Sequence, residues 1–123
     1  TWSSVVITGT YFRPRCGHVA LSKPNSGAKL YITGGWDTAK EEVYDDVFLL
    51  DIDETHMTRP AHLEKMHKTS GHGAAIDANS DALVIFGGQT SAEAGEETIT
   101  DELAFLKLSE ASNKQEKKKK ANT

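Results

Sequence analysis

The side chains with chemistry to offer are five histidines, a single cysteine and 18 acidic residues. His62, His67 and His72 follow one another at intervals of five, a spacing that puts them on no common helix face and no common strand face. A bound transition metal draws in about four ligands at roughly 2 Å, so these histidines do not read as a metal centre. Cys16 stands alone, which excludes an internal disulfide and a cysteine-rich zinc cluster and points to a reducing, intracellular setting. The sequence has neither the Gly-x-Ser-x-Gly elbow of serine hydrolases nor a glycine-rich phosphate loop followed by Lys-Ser or Lys-Thr. No catalytic residue is assigned, and neither a metal nor a cofactor is expected.

A chain of 123 residues with 37% hydrophobic content has room for one modest core. Its 14 basic and 18 acidic side chains give a net charge of −4, which argues against an overall basic, nucleic-acid-binding protein. The charge is unevenly placed: residues 1–109 hold 9 basic and 16 acidic side chains (net −7), and residues 110–123 hold 5 and 2 (net +3). The longest apolar stretches, such as Val47 to Leu50, are strand-sized and far short of the roughly 20 residues of a membrane span. A soluble, cytoplasmic protein is expected, with no membrane and no nucleic acid among its partners. Residues 109–123 are polar and end near Lys117 to Lys120; they are expected to form a flexible basic tail, and the lysines add the nucleus as a second address. The chain opens on Thr1 without an initiating Met or a leader, so the expectation is a start inside a longer protein or after processing.

Behind these residues lies a repeat. Cys16-Gly17-His18-Val19-Ala20 returns as Ser70-Gly71-His72-Gly73-Ala74, offset by 54. Leu30 to Gly35 returns as Leu83 to Gly88, offset by 53, and Asp46 to Ile52 returns as Glu102 to Leu108, offset by 56. Three blocks recur in one order, and the drift falls in the stretch after each Gly-Gly, where a loop absorbs insertions. The blocks ending in Gly34-Gly35 and Gly87-Gly88 are short, β-branched and aromatic, and read as strands halted by glycine. The third blocks are apolar runs too short for helices. Ser22 to Gly27 and Asp77 to Asp81 read as turns, and Ala61 to Lys68 as a connecting loop with room for one helical turn. Residues 1–6 and 57–61 are each expected to supply an outer strand, which brings the count to eight.

A Gly-His pair, a strand ending in Gly-Gly, a variable loop and an apolar strand closed by Asp resemble the kelch repeat of β-propellers. The first copy carries Arg15, Gly17-His18, Gly34-Gly35, Tyr44 and Asp51. The second keeps Gly71-His72 and Gly87-Gly88, with Thr69, Ile99 and Lys107 where Arg, Tyr and Asp are expected. Trp2 and Met57 stand where the family has its outer-strand Trp. The resemblance covers residues 1–108 and implies an all-β fold of two four-stranded kelch-type blades (about 1–55 and 56–108), part of a larger β-propeller. Propellers close with typically about 4 to 8 blades, so the remaining ones are expected from missing sequence or another chain.

Some proteins of this architecture are enzymes, each with its own required residues. Copper-radical oxidases need a Tyr joined to a Cys together with two His and another Tyr; Cys16 and Tyr11 sit near each other without the rest. The iron pattern of specifier proteins is met by Glu42 and Asp46 but has Leu50 in its His position. The resemblance therefore implies a non-enzymatic protein-interaction module or scaffold. The alternative is a fragment of a propeller oxidase or specifier-like enzyme whose catalytic residues lie mostly elsewhere. The expected contact surface is the pair of acidic loops after the two Gly-Gly pairs, with Trp36, Asp37, Glu41, Glu42, Tyr44, Glu96 and Glu97 meeting a basic protein partner. Trp36 is the expected aromatic anchor.

Overall fold

The computed structural model describes residues 2–23, 27–63, 66–91 and 99–109. The basic tail beyond Ser109, Glu93, Glu96 and Glu97 of the second loop, and Pro24 to Ser26 of the first turn lie outside the described residues. Among those described, the regular structure is all β apart from one 3-10 turn at Ala61–Leu63. Among the described residues no helix is long and apolar enough to cross a membrane.

The recurring blocks form strands in both copies. In the first, β2 (Val19–Ser22), β3 (Lys29–Thr33) and β6 (Val47–Asp51) pair antiparallel, with Ala20 opposite Ile32 and Ile32 opposite Phe48. In the second, β8 (Gly73–Asp77), β9 (Ala82–Phe86) and β10 (Leu103–Lys107) repeat the arrangement, with Ala74 opposite Ile85 and Ile85 opposite Ala104. The loop after β3 folds into a small antiparallel ribbon of β4 (Trp36–Asp37) and β5 (Glu42–Val43).

The outer strands depart from expectation. Residues 2–7 are exposed and form no strand; only β1 (Thr8–Gly9) follows, paired parallel with β7 (His56–Thr58). An extended segment needs a neighbour to satisfy its backbone groups, and residues 2–7 pair with none of the described strands. β7 occupies the other predicted position but pairs antiparallel with β6, Met57 opposite Leu50, so it completes the sheet of the first copy. A tight connection explains the choice: Asp51 Oδ1 accepts from Glu54 N at 3.1 Å, and Thr55 sits at φ 47°, folding the chain back at once. The result is a five-stranded sheet ordered β1-β7-β6-β3-β2 facing a three-stranded sheet ordered β10-β9-β8.

Period-two alternation sets which face of each strand is buried. Tyr31 and Val47 of the first sheet meet Leu83, Ile85 and Leu106 of the second, with Leu63 and Met66 from the connecting segment filling the space between. Each such side chain, fully buried, contributes about 1.5–3 kcal/mol. A smaller cluster of Ile32, Phe48 and Met57 lies on the far side of the first sheet under Phe12.

The Gly-Gly pairs make the close seam between copies. Gly35 N donates to the Thr69 carbonyl at 2.8 Å. A Cβ on Gly34 would collide with that carbonyl, and one on Gly88, at φ +98°, with the Thr69 hydroxyl. His72 is buried in the same seam, its Nε2 2.7 Å from the Thr33 hydroxyl.

Candidate functional site

The β4–β5 ribbon is raised on a buried ion pair. Arg15 meets Asp46 through two bonds, Nη1 to Oδ1 at 2.5 Å and Nη2 to Oδ2 at 3.2 Å, and Nη1 also donates to the Gly34 carbonyl at 3.1 Å. The two side chains are only 1% and 9% exposed. The guanidinium lies between the rings of Phe12 and Tyr44, 4.2 Å from each centroid, and Phe12 in turn meets Phe48 edge to face. Planar, delocalised and weakly hydrated, Arg suits this slot where Lys does not.

In the second copy Thr69 stands in place of Arg15. Its hydroxyl donates to the Gly87 carbonyl at 2.6 Å, the counterpart of the Arg15 bond to Gly34. Glu102, at the position of Asp46, stays exposed, 3.7 Å from Nδ1 of His67. The substitution of Thr for Arg thus keeps the bond to the glycine carbonyl and drops the ion pair.

Around the ribbon lies an open cleft of about 670 Å³, lined among others by Arg13, Glu41, Glu42, Asp45, Arg59 and Lys68. Thr90 and Ser91, which begin the second loop, also line it, so both loops reach the same cleft. Glu42 pairs with Arg13 at 3.4 Å and Asp45 with Arg59 at 3.9 Å, all four side chains about half exposed. The rim is therefore mixed in charge, not uniformly acidic. Sequence reasoning missed Arg13, Arg59 and Lys68 because they come from segments outside the repeated loops.

The expected contact residues separate into rim and support. Glu41 and Glu42 are exposed at the ribbon's end, Glu41 at φ 54°. Asp37 shapes the turn: its Oδ1 accepts from Ala39 N at 2.9 Å and Lys40 N at 3.3 Å. Tyr44 is buried beneath Arg15 with its hydroxyl 3.4 Å from Asp37 Oδ2, which makes it a support instead of a contact. Trp36 is half-buried, its backbone exchanging bonds with Cys16 at 2.8 and 2.9 Å.

The histidines are mostly tied into the framework. His62 and His67 each approach a backbone carbonyl of the second copy at 3.0 Å, those of Leu108 and Gly87. Burial holds His72 below the usual imidazole range, reinforced by His67 and His18 and opposed by a hydrogen bond with Thr33. Its Nδ1 is buried and makes no hydrogen bond among the described residues. His18, the counterpart of His72, is exposed. Among the described residues no three His, Cys, Asp or Glu side chains gather in a way that could hold a metal ion. No protein-family model matches the chain, and no curated protein matches it either.

Proposed function

We propose that the chain supplies two kelch-type blades to a larger β-propeller and acts there as a protein-interaction module, binding its partner at the loop cleft. The propeller reading is supported by the ordered repeat and by the stacking of its two copies face to face. The observation that carries the binding reading is the ribbon itself: a buried, doubly bonded Arg15–Asp46 pair supports an exposed turn beside a cleft open to solvent. Fixed charges on a rigid base steer association more than they add affinity. Glu41 and Glu42, joined by Glu96 and Glu97 of the equivalent loop, draw basic side chains of the partner, and the accessible side of Trp36 packs against it.

The test begins with a photoreactive residue at Glu41 or Lys40, and a control at Asp53 beyond the opposite end of β6, to capture the partner in cells. Association of that partner is then followed by stopped flow for the native chain and for a variant with all four glutamates changed to Gln. The variant should associate more slowly at low salt and converge with the native chain at high salt. An unchanged on-rate at low ionic strength, or equal capture from Asp53, refutes the assignment.

A further inference from the structure

The cleft beside the ribbon is closer to neutral than its acidic loops suggest. Its described lining holds four cations, Arg13, Arg15, Arg59 and Lys68, and four anions, Glu41, Glu42, Asp45 and Asp46. Three of each are matched to one another: Arg15 with Asp46 in the interior, Arg13 with Glu42 and Arg59 with Asp45 at the rim. Lys68 and Glu41 remain. Both are exposed, and neither makes an ion pair among the described residues.

The backbone fixes where these two charges stand. Thr69 N donates to the Tyr44 carbonyl at 3.1 Å, which puts Lys68 beside the base of the ribbon, just past β5. Ser70 and Gln89 exchange bonds at 2.9 and 3.0 Å, so Lys68 also borders the start of the second loop, where Thr90 and Ser91 line the cleft. Glu41 stands at the other end of β5, at the turn of the ribbon. The extended chain from Glu41 to Tyr44 spans about 10 Å. Tyr11, 74% exposed, adds an open ring to the same cleft.

We propose that the cleft takes an extended partner segment of mixed charge, an acidic side chain pairing with Lys68 and a basic one with Glu41, and an apolar side chain lying against Tyr11. The inference rests on the cleft being the binding site and narrows what binds there. A uniformly basic segment brings like charge onto Lys68, and an apolar one covers Lys68 and Glu41 without partners; both are penalised. The three internal pairs are already matched, so covering them strands no charge. Same-face positions of an extended segment lie about 7 Å apart at a spacing of two residues and about 13 Å at four. The flexible Lys68 and Glu41 side chains take up the difference from the ribbon's length, so the acid and the base stand two or four residues apart.

The test pans a phage library of short random peptides on the full chain and measures the selected peptides by calorimetry at low salt. Native protein should enrich peptides with one acid and one base at the stated spacing. Lys68→Glu should instead enrich peptides with two bases, and Glu41→Lys peptides with two acids, each variant keeping the native circular dichroism because both side chains are exposed. A peptide selected on native protein should lose about tenfold in affinity when its acid is changed to Lys, and recover it on Lys68→Glu, a cycle that a misfolded variant does not produce. Enrichment of purely basic peptides by the native chain and Lys68→Glu alike overturns this inference and leaves the basic-partner reading standing. Peptides indifferent to both charge reversals, or no enrichment at all, overturn it together with the cleft.

Discussion

Replacing Arg15 by Met should be among the most damaging single changes in the chain. The guanidinium is 1% exposed and doubly bonded to Asp46, itself 9% exposed. Methionine fills much of the same space between the rings of Phe12 and Tyr44 and packs well on them, so what is lost is mainly the partner of a buried carboxylate. Stranding one member of such a pair costs about 3–5 kcal/mol. Replacing both, Arg15→Met with Asp46→Leu, removes the stranded charge and should return stability to within about 1 kcal/mol of the native chain or above it, because the desolvation of both ions disappears too. With a urea slope of about 2 kcal/mol per molar, the single variant shifts the midpoint down by about 2 M. Urea titration followed by Trp fluorescence and by circular dichroism measures both variants. If the single and double variants fall equally far, the uncompensated charge is not the cause, and the buried pair has been misread.

Two further outcomes are expected. His72 is held below its ordinary 6.5 by burial, with His67 and His18 beside it; the folded chain binds this proton less readily than the unfolded one, so stability is full above about pH 6.5 and declines as pH falls toward the lowered folded value. Thermal melts across this range should show that decline in the native chain and a flatter profile in His72→Gln; parallel profiles would remove His72 as the source. Gly88→Ala meets the Thr69 hydroxyl at φ +98° and should cost more than the roughly 1–3 kcal/mol of a strained backbone, whereas Gly27→Ala, at φ +78° with no atom of the described residues in the way, should cost only about 1–2 kcal/mol. Equal midpoints for the two glycine variants in urea would show that backbone conformation alone, not the seam between copies, governs both.

The inner strands were legible because their information is local. Leu30 to Thr33 and Leu83 to Phe86 are short runs stopped by glycine, and each third block falls within a residue of an observed strand. Of the two expected outer strands, residues 2–6 form none, and the one expected near 57–61 overlaps β7, whose sheet is not readable in sequence because His56–Thr58 is too short for alternation to show a partner. The pairing is decided by the Asp51 to Thr55 turn, which returns the chain to β6. Of the candidate site, Glu41, Glu42 and the loop itself were legible; the cleft was not. It is assembled from Arg13, Arg59 and Lys68, which no repeat offset marks, and the burial of Tyr44 depends on the Arg15 guanidinium covering it from 29 residues away in sequence. Thr69 read as a departure from the pattern, although its hydroxyl serves the same kind of carbonyl as Arg15.

The seam between the copies also orders events during synthesis. Strands β2, β3, β6 and β7 follow one another with no strand of the second sheet between them, so the first sheet can form once residue 58 has left the ribosome. Its inner face, with Tyr31 and Val47, then waits for Leu83, Ile85 and Leu106, which are translated well afterwards. At about 5–20 residues per second, the roughly fifty residues from Thr58 to Leu106 take a few seconds to emerge. Throughout that interval the nascent chain presents an uncovered apolar sheet face, the kind of surface that chaperones hold and that neighbouring nascent chains on one message can capture. Slowing translation across Pro60 to Ala82 should therefore raise aggregation of this protein without altering a single contact in its folded form.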